Sequence, residues 1–321
     1  MISTLDKIYE KINNANSIVI LAHENPDGDA VGTSLALYNA LKQSGKTNVD
    51  IIIPECPKTF LFLPGANEIK KESNIEDYDL AIAIDCATSK MLNGWAKYFE
   101  NATTTIVIDH HGTNTMYGDY NFVNPDAPAC SEVMIVALNH FNMEINKDIG
   151  TCLLVGIITD TAGFKYQGVT AETFEFVAEL LNKGVNVSDT YRKVLQVKTK
   201  SAFELARIAN NRLELLDDGK IAYTYVTAED LQKVNAVYGD HEGIVDVGRD
   251  IEGVEVSVFV RANGTNKYKV SLRSNEKVDV DEIALLFGGG GHPKAAAFSS
   301  TESLETIKNQ VLNEVRHYLY L

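Results

Sequence analysis

The sequence predicts an α/β protein in two parts: a parallel-sheet domain, then a smaller α+β domain, joined by a helical connection. Three observations carry this. The apolar runs Ser17-Ile18-Val19-Ile20-Leu21, Leu80-Ala81-Ile82-Ala83-Ile84 and Thr105-Ile106-Val107-Ile108 are nearly continuous, as in strands buried on both faces of a parallel sheet. Segments with apolar residues at helical spacing separate them, which gives βαβ units. Beyond Leu216 the pattern changes to alternating apolar and polar residues, over 221–226, 254–261 and 267–273, the period of half-buried strands.

The elements follow in order. Leu5, Ile8, Tyr9 and Ile12 give a helix over 3–15, followed by a strand over 17–22. Ala30, Val31, Leu35, Ala36, Leu37, Ala40 and Leu41 form the apolar face of a helix over 29–43, closed by Gly45. A strand over 49–53 stops at Pro54, and further strands span 80–85 and 105–110. Helices are expected over 130–142, 147–158 and 171–183, the last ending at Gly184. Residues 188–214 are charged, helical and poor in stop signals, and read as the connection, partly one long helix. Asn263-Gly264 marks a hairpin, and helices are expected over 281–286 and 303–318. The expected boundaries are 1–187 for the first domain, 188–214 for the linker and 215–321 for the second domain.

Bulk properties narrow the function. A chain of 321 residues suggests two domains, and 45% hydrophobic residues suffice for full cores. Against 29 basic residues stand 44 acidic ones, a net charge of −15, with a pI near 4.9. That argues against a sequence-blind grip on long duplex nucleic acid, but allows a short nucleotide held by metals and a few cations. Cys56, Cys86, Cys130 and Cys152 have no CxxC spacing, so reduced thiols are expected rather than a disulfide framework or a zinc ribbon. No secretory signal is visible, and no apolar run approaches the roughly 20 residues that span a bilayer. The expected location is cytoplasmic.

The chemistry lies where the apolar runs end. His23, Asp27 and Asp29 follow the first run, Asp85 the second, and Asp109-His110-His111 the third. Asp160 follows Val155-Gly156-Ile157-Ile158-Thr159, where a helix end is expected instead of a strand end. In an open parallel sheet the carboxyl ends of the strands line the crevice where ligands bind. His and Asp converging there suit hard or borderline divalent metals. Taken singly, Asp27 is as well explained as a helix cap, and Asp85 or Asp109 as a turn former; their joint occurrence carries the metal reading. Two divalent ions about 3.5–4 Å apart lower the pKa of a water held between them and neutralise charge on a phosphoryl oxygen.

These residues together resemble the DHH phosphoesterase superfamily. The motifs that carry the resemblance are His23-Glu24-Asn25-Pro26-Asp27-Gly28-Asp29-Ala30, Asp85, Asp109-His110-His111 and Gly156-Ile157-Ile158-Thr159-Asp160-Thr161. Gly288-Gly289-Gly290-Gly291-His292-Pro293-Lys294-Ala295-Ala296-Ala297 is similar to the glycine-rich motif of the DHHA1 substrate domain, although Ala297-Phe298 stands where the family often has Ala-Gly. The resemblance implies that His23 and Asp27 bind one metal, that Asp29, His110 and Asp160 bind the second, and that Asp85 bridges them. It implies that His111 contacts the scissile phosphate and that Asp109 orients the histidines. It also implies manganese, with magnesium or cobalt as alternatives.

Size and layout are similar to the small branch of nanoRNases with 3′-phosphoadenosine-5′-phosphate (pAp) phosphatase activity. The large cyclic di-AMP phosphodiesterases carry membrane and sensor segments, and the RecJ-type exonucleases are longer. The expected activity is hydrolysis of short RNA oligonucleotides and of pAp, with a homodimer implied by the resemblance. The alternatives are a cyclic di-AMP or pApA phosphodiesterase, a family II inorganic pyrophosphatase and a nucleotide-sensing protein without turnover. In the second domain, Gly289, Gly290, Gly291 and His292 are candidate substrate contacts, because Gly288–Gly291 can bring four backbone amides to an anion. Arg273 and, more weakly, Arg261 are candidates for a terminal phosphate. The implied arrangement is a clamp that favours short substrates.

Overall fold

Six parallel strands form the sheet that the apolar runs predict. The computed structural model describes residues 2–54, 56–166, 168–237, 239–264 and 266–320 and divides into two units, 1–197 and 198–321. In the first, α1 (Ile2–Asn14), β1 (Ile18–Leu21), α2 (Gly28–Gln43), β2 (Val49–Ile52), β3 (Ile69–Lys70) and β4 (Leu80–Ile84) come first. Then follow α3 (Ala96–Glu100), β5 (Thr104–Asp109), β6 (Tyr120–Val123), α4 (Cys130–His140), α5 (Lys147–Asp160), α6 (Ala171–Asn182) and α7 (Val187–Tyr191). The strand order is β3-β2-β1-β4-β5-β6 with every pairing parallel.

The continuous apolar runs are explained by two cores, one on each side of the sheet. Ile18, Ile20, Ile82, Ile84, Ile106 and Ile108 pack with residues of α1, α2, α4 and α5. Val19, Leu21, Ala81, Ala83 and Val107 pack with Tyr78, Leu92, Tyr98 and Phe99 on the other face. Each large buried aliphatic side chain contributes about 1.5–3 kcal/mol. The chain leaves β1 for β2 on one side and returns to β4 on the other. This reversal opens a crevice at the carboxyl ends of β1 and β4. The short edge strands β3 and β6 had no run long enough to announce them.

The residues 188–214 are shared between the units. Tyr191, Val194 and Leu195 pack on the first core, whereas α8 (Lys200–Asn211) places Leu205 and Ala209 in a cluster of the second unit. Each half carries its own apolar stripe, so the segment is two short elements, not one long helix.

The second unit continues with β7 (Glu214–Leu216), β8 (Ile221–Val226), α9 (Ala228–Lys233), α10 (Ile244–Arg249), β9 (Val256–Ala262) and β10 (Tyr268–Ser274). It closes with α11 (Val280–Leu286), β11 (Gly290–His292), β12 (Ala295–Ser300) and α12 (Leu304–Tyr320). The sheet order is β11-β12-β10-β9-β8-β7, antiparallel except for β8 with β9. The β9–β10 hairpin forms at Asn263-Gly264 as expected. Val258, Val270, Leu272, Ala296 and Phe298 face Ile283, Ile307, Val311 and Val315 of α11 and α12. On the other face, α8 and α10 cover Val226 and Phe259.

The entry into α9 is tied by one ion pair. Asp230 closes a capping box with Thr227 and accepts from Arg212 Nη2 at 3.0 Å and, through Oδ2, from Arg212 Nη1. Burial alone would raise the Asp230 carboxyl, but the hydrogen bonds from Arg212 and Thr227 outweigh it and hold it below the usual range. A depressed folded-state pKa means stability that is present above the unfolded value and lost as pH falls through the folded one. Asp230→Asn should therefore cost the second unit about 1–2 kcal/mol at pH 7, less than a fully buried pair because Arg212 is partly exposed to solvent. Denaturant unfolding should show that gap narrowing as the pH is lowered below 4, the range in which a free Asp titrates.

Candidate metal centre

Each strand end in the crevice delivers a ligand for a local reason. Asp27 caps α2: its Oδ1 accepts from the amides of Asp29 at 2.9 Å and Ala30 at 3.0 Å. Capping therefore occupies one carboxylate oxygen, and the helix-cap and metal readings of Asp27 are compatible. Asp29 is fully buried in the first turn of α2. Its Oδ2 accepts from the Cys130 amide at 2.5 Å, and its Oδ1 from the Ser131 amide at 3.0 Å and the Thr33 hydroxyl at 2.9 Å. Two of these donors, Cys130 and Ser131, are first-turn amides of α4, which have no intrahelical partner and favour an anion.

Asp85 follows β4 directly with φ of 58°. That left-handed conformation costs a non-glycine residue roughly 1–2 kcal/mol, and such strain gathers at functional sites. The residue is buried, and among the described residues its Oδ1 has no hydrogen-bond donor. Asp109 ends β5, also fully buried; it pairs with His111 Nδ1 at 2.7 Å and accepts from Asn114 Nδ2 at 2.6 Å. His110 Nδ1 lies 3.1 Å from the Ala127 carbonyl. This turns Nε2 toward Asp160 Oδ2 at 3.2 Å and Asp85 Oδ1 at 3.5 Å. Asp160 is the last residue of α5, at a helix end and not a strand end.

The predicted residues thus converge. His23, Asp27 and Asp85 form one group with ligand atoms within 4.8 Å of one another, and Asp29, His110 and Asp160 form another. Asp85, His110 and His111 form a third that links the two. Nitrogen and carboxylate donors of this kind fit a hard or borderline divalent cation.

The electrostatics call for such a cation. Burial and the neighbouring carboxylates, Asp29 first, push Asp85 well above the usual carboxyl range. Burial and Asp160 push Asp29 up to about 7. Burial works against a charged His110, but the Asp160 hydrogen bond and the Asp29 charge outweigh it and raise the imidazole to about 9. Burial lowers His23. The cluster holds more carboxylate than its own groups can neutralise, and Asp85 Oδ1 lies within it, its nearest imidazole nitrogen being that of His110 at 3.5 Å.

Close backbone packing sets the positions. A Cβ at Gly156 would lie 2.0 Å from Ser131 Oγ and 2.3 Å from Asp29 Oδ1, and one at Gly32 would lie 2.4 Å from the Cys152 carbonyl. Only glycine lets α5 approach α2 and α4 closely enough to set Asp29 in place.

In the second unit, register groups the predicted residues. Arg273 lies opposite Ala295 on β12, which lies opposite His292 on β11. Arg273 and His292 therefore share a sheet face, roughly 10 Å apart at the backbone. Arg261, opposite Lys269, is on the same face. The glycine run requires a correction. Gly288, at φ of 72°, ends α11 in a Schellman motif: its amide donates to Leu285 O and that of Gly289 to Ala284 O. Two of the four amides are thus already engaged. The glycines also allow tight strand pairing, because a Cβ at Gly289 or Gly291 would lie 2.2 Å from Ala297 O or 2.4 Å from Ala295 O. Phe298 is explained by its stacking on Phe287, with centroids 4.4 Å apart.

Several supporting residues escaped the sequence reading. Thr33, Ser131 and the Ala127 carbonyl carry no motif of their own, since only the fold brings them to Asp29 and His110. Asn114 lies five residues beyond Asp109, a spacing with no general meaning. The cysteines are free thiols, as expected. Among the described residues, no helix is long and apolar enough to cross a membrane.

Comparison with known proteins places this arrangement in a family. Residues 17–157 match the DHH family, N-terminal domain, and residues 218–319 the DHHA1 domain. The chain is 33% identical over 305 residues to the bifunctional oligoribonuclease and PAP phosphatase NrnA of Thermus thermophilus, covering 94% of this chain and 90% of that one. It is 24% identical to the Bacillus subtilis protein of the same name, covering 91% and 92%. A crystal structure of an exopolyphosphatase-related protein from Bacteroides fragilis superposes with a TM-score of 0.91 at 27% identity, over 99% of this chain and 98% of that one. The chain belongs to the DHH family and carries a DHHA1 domain.

Two outcomes test the centre. Metal ligands must shed their protons to bind. With Asp29 at about 7 and His110 at about 9, Mn²⁺ affinity measured by calorimetry should rise steadily from pH 6 to pH 9, with proton release. Gly156→Ala should displace Asp29, weaken Mn²⁺ binding about 10–100-fold and cost about 1–3 kcal/mol of stability. Unchanged affinity would show that Asp29 takes no part in holding the ion.

Proposed function

We propose that this protein is a metal-dependent phosphoesterase that hydrolyses short RNA oligonucleotides and removes a phosphate from pAp. The observation that carries this reading is the position of Asp85: buried, with an oxygen that has no hydrogen-bond donor among the described residues, and common to two of the three ligand groups found among them. The relatives named as bifunctional oligoribonuclease and PAP phosphatase support the substrate class.

In this reading His23 and Asp27 hold one divalent ion, Asp29, His110 and Asp160 hold a second, and Asp85 serves both. Manganese is the proposed ion, with magnesium or cobalt as substitutes. When bound, two such ions lower the pKa of an attacking water and neutralise charge on the phosphoryl oxygens. The chain supplies the remainder. Burial would raise Asp109, but the hydrogen bonds from His111 and Asn114 outweigh it and hold the carboxyl low. Ionised Asp109 fixes His111 through Nδ1, which leaves Nε2 to donate to the phosphate under attack. The Ala127 carbonyl fixes His110 in the same way. Arg273, Arg261, His292, Gly289, Gly290 and Gly291 are the proposed contacts to the rest of the substrate.

The test is a hydrolysis panel with Mn²⁺, resolved by chromatography: a 5′-phosphorylated diribonucleotide, pAp, cyclic di-AMP, a 24-mer RNA and pyrophosphate. Rapid loss of the dinucleotide and pAp, with the 24-mer much slower, is expected. Rapid loss of cyclic di-AMP or pyrophosphate alone would replace this reading with the corresponding one. Asp85→Asn should lower kcat by at least about 10²-fold, and retained turnover would remove Asp85 from its role.

A further inference from the structure

We propose that the turn after Asp160 is a platform for a nucleobase, with Tyr166 and the Phe164–Phe174 pair stacking on the base next to the attacked phosphate. The inference rests on the phosphoesterase reading above. Ala162, Gly163 and Phe164 are three consecutive residues in the left-handed region, with φ of 48°, 71° and 69°. Side-chain-bearing residues adopt it rarely, and such strain persists only where the surroundings fix it. Here they do. The Gly163 amide donates to Ile158 O at 2.8 Å, and the Lys165 and Tyr166 amides both donate to Thr161 O. The Phe164 amide donates to the hydroxyl of the fully buried Thr161 at 3.0 Å.

Both ends of this turn are tied to the metal centre. Asp160 precedes it. At its far end Gly168 lies against Pro128, whose Cβ is 3.5 Å from where a Gly168 Cβ would sit. The neighbouring Ala127 carbonyl is the one that orients His110. The turn therefore borders the crevice and carries an unusual surface for such a place. Tyr166 is 52% exposed and Phe174 55%, and the Phe174 ring lies 5.4 Å from that of Phe164, tilted by 30°. Phe164 has a packing role against the first core; Tyr166 and Phe174, more than half in solvent, need another explanation. Exposed aromatic rings beside a phosphate-attacking centre suit a nucleobase, and stacking tolerates any base because each has a π-face.

The experiment compares Tyr166→Ala, Phe174→Ala and Tyr166→Phe with the unaltered protein. Two substrates are used: a 5′-phosphorylated diribonucleotide, and its analogue lacking the base beside the attacked phosphate. Both alanine variants should raise KM for the complete dinucleotide roughly 10–100-fold, the loss expected for one base–aromatic stack, with kcat within a few-fold. Tyr166→Phe should restore KM, and the abasic analogue should respond to none of the changes. Thermal unfolding should not move, because both rings are exposed. Unchanged KM for the dinucleotide, or an equal rise for the abasic analogue, overturns the platform. Calorimetric binding of the dinucleotide separates the two ideas. If the unaltered protein hydrolyses neither substrate, the phosphoesterase reading fails, while weaker binding by the alanine variants still supports the platform and equal binding still overturns it.

Discussion

Five aspartates and three histidines are drawn together at the end of one sheet, and the mutual repulsion of the carboxylates is the constraint around which the first unit is organised. Carboxylates such as Asp29 and Asp85, shut away from water, are costly as anions unless a partner of opposite charge is supplied. The fold supplies part of that compensation. Amides at the start of α4 donate to Asp29, Asn114 donates to Asp109, and Asp160 pairs with His110. Among the described residues, Asp85 Oδ1 receives no such hydrogen bond. A divalent cation answers that deficit directly, so the carboxylates read as a cost of stability retained for binding.

The architecture makes the concentration of charge possible. Parallel strands place all their carboxyl ends on one edge, and the reversal of strand order beside β1 and β4 leaves that edge open. The two cores bear the stability, with isoleucine-rich and mixed aliphatic–aromatic layers on opposite faces. Glycines at 28, 32 and 156 then let α2 and α5 pack almost backbone to backbone, which carries Asp160 toward residues that follow strands. The centre is therefore positioned by rigid elements, as binding of small, geometrically demanding ions requires.

Much of this was legible in the sequence. The runs before His23, Asp85 and Asp109 are continuous because both faces of those strands are covered, and a residue ending such a strand must lie at the sheet edge. The helices over 130–142 and 147–158 were equally readable from their periodicity, and the family motifs joined them to the strand ends. What could not be read depended on tertiary placement. The edge strands β3 and β6 are too short to show a period. The pairing of α4 amides with Asp29 spans about a hundred residues and leaves no local trace. Gly288–Gly291 resembled an anion cradle, yet two of its amides complete a helix end, because a run of glycines serves close backbone approach and turn geometry as readily as ligand binding. The left-handed turn at 162–164 contains only one glycine, so two of its positive dihedrals had no signal at all.

The most direct test is the number of ions bound. Equilibrium dialysis of the purified protein against Mn²⁺, followed by elemental analysis, should give two ions per chain, and Asp85→Asn should lose at least one of them while remaining folded. A single ion in the unaltered protein, or two retained by Asp85→Asn, would contradict an account in which Asp85 joins two metal sites.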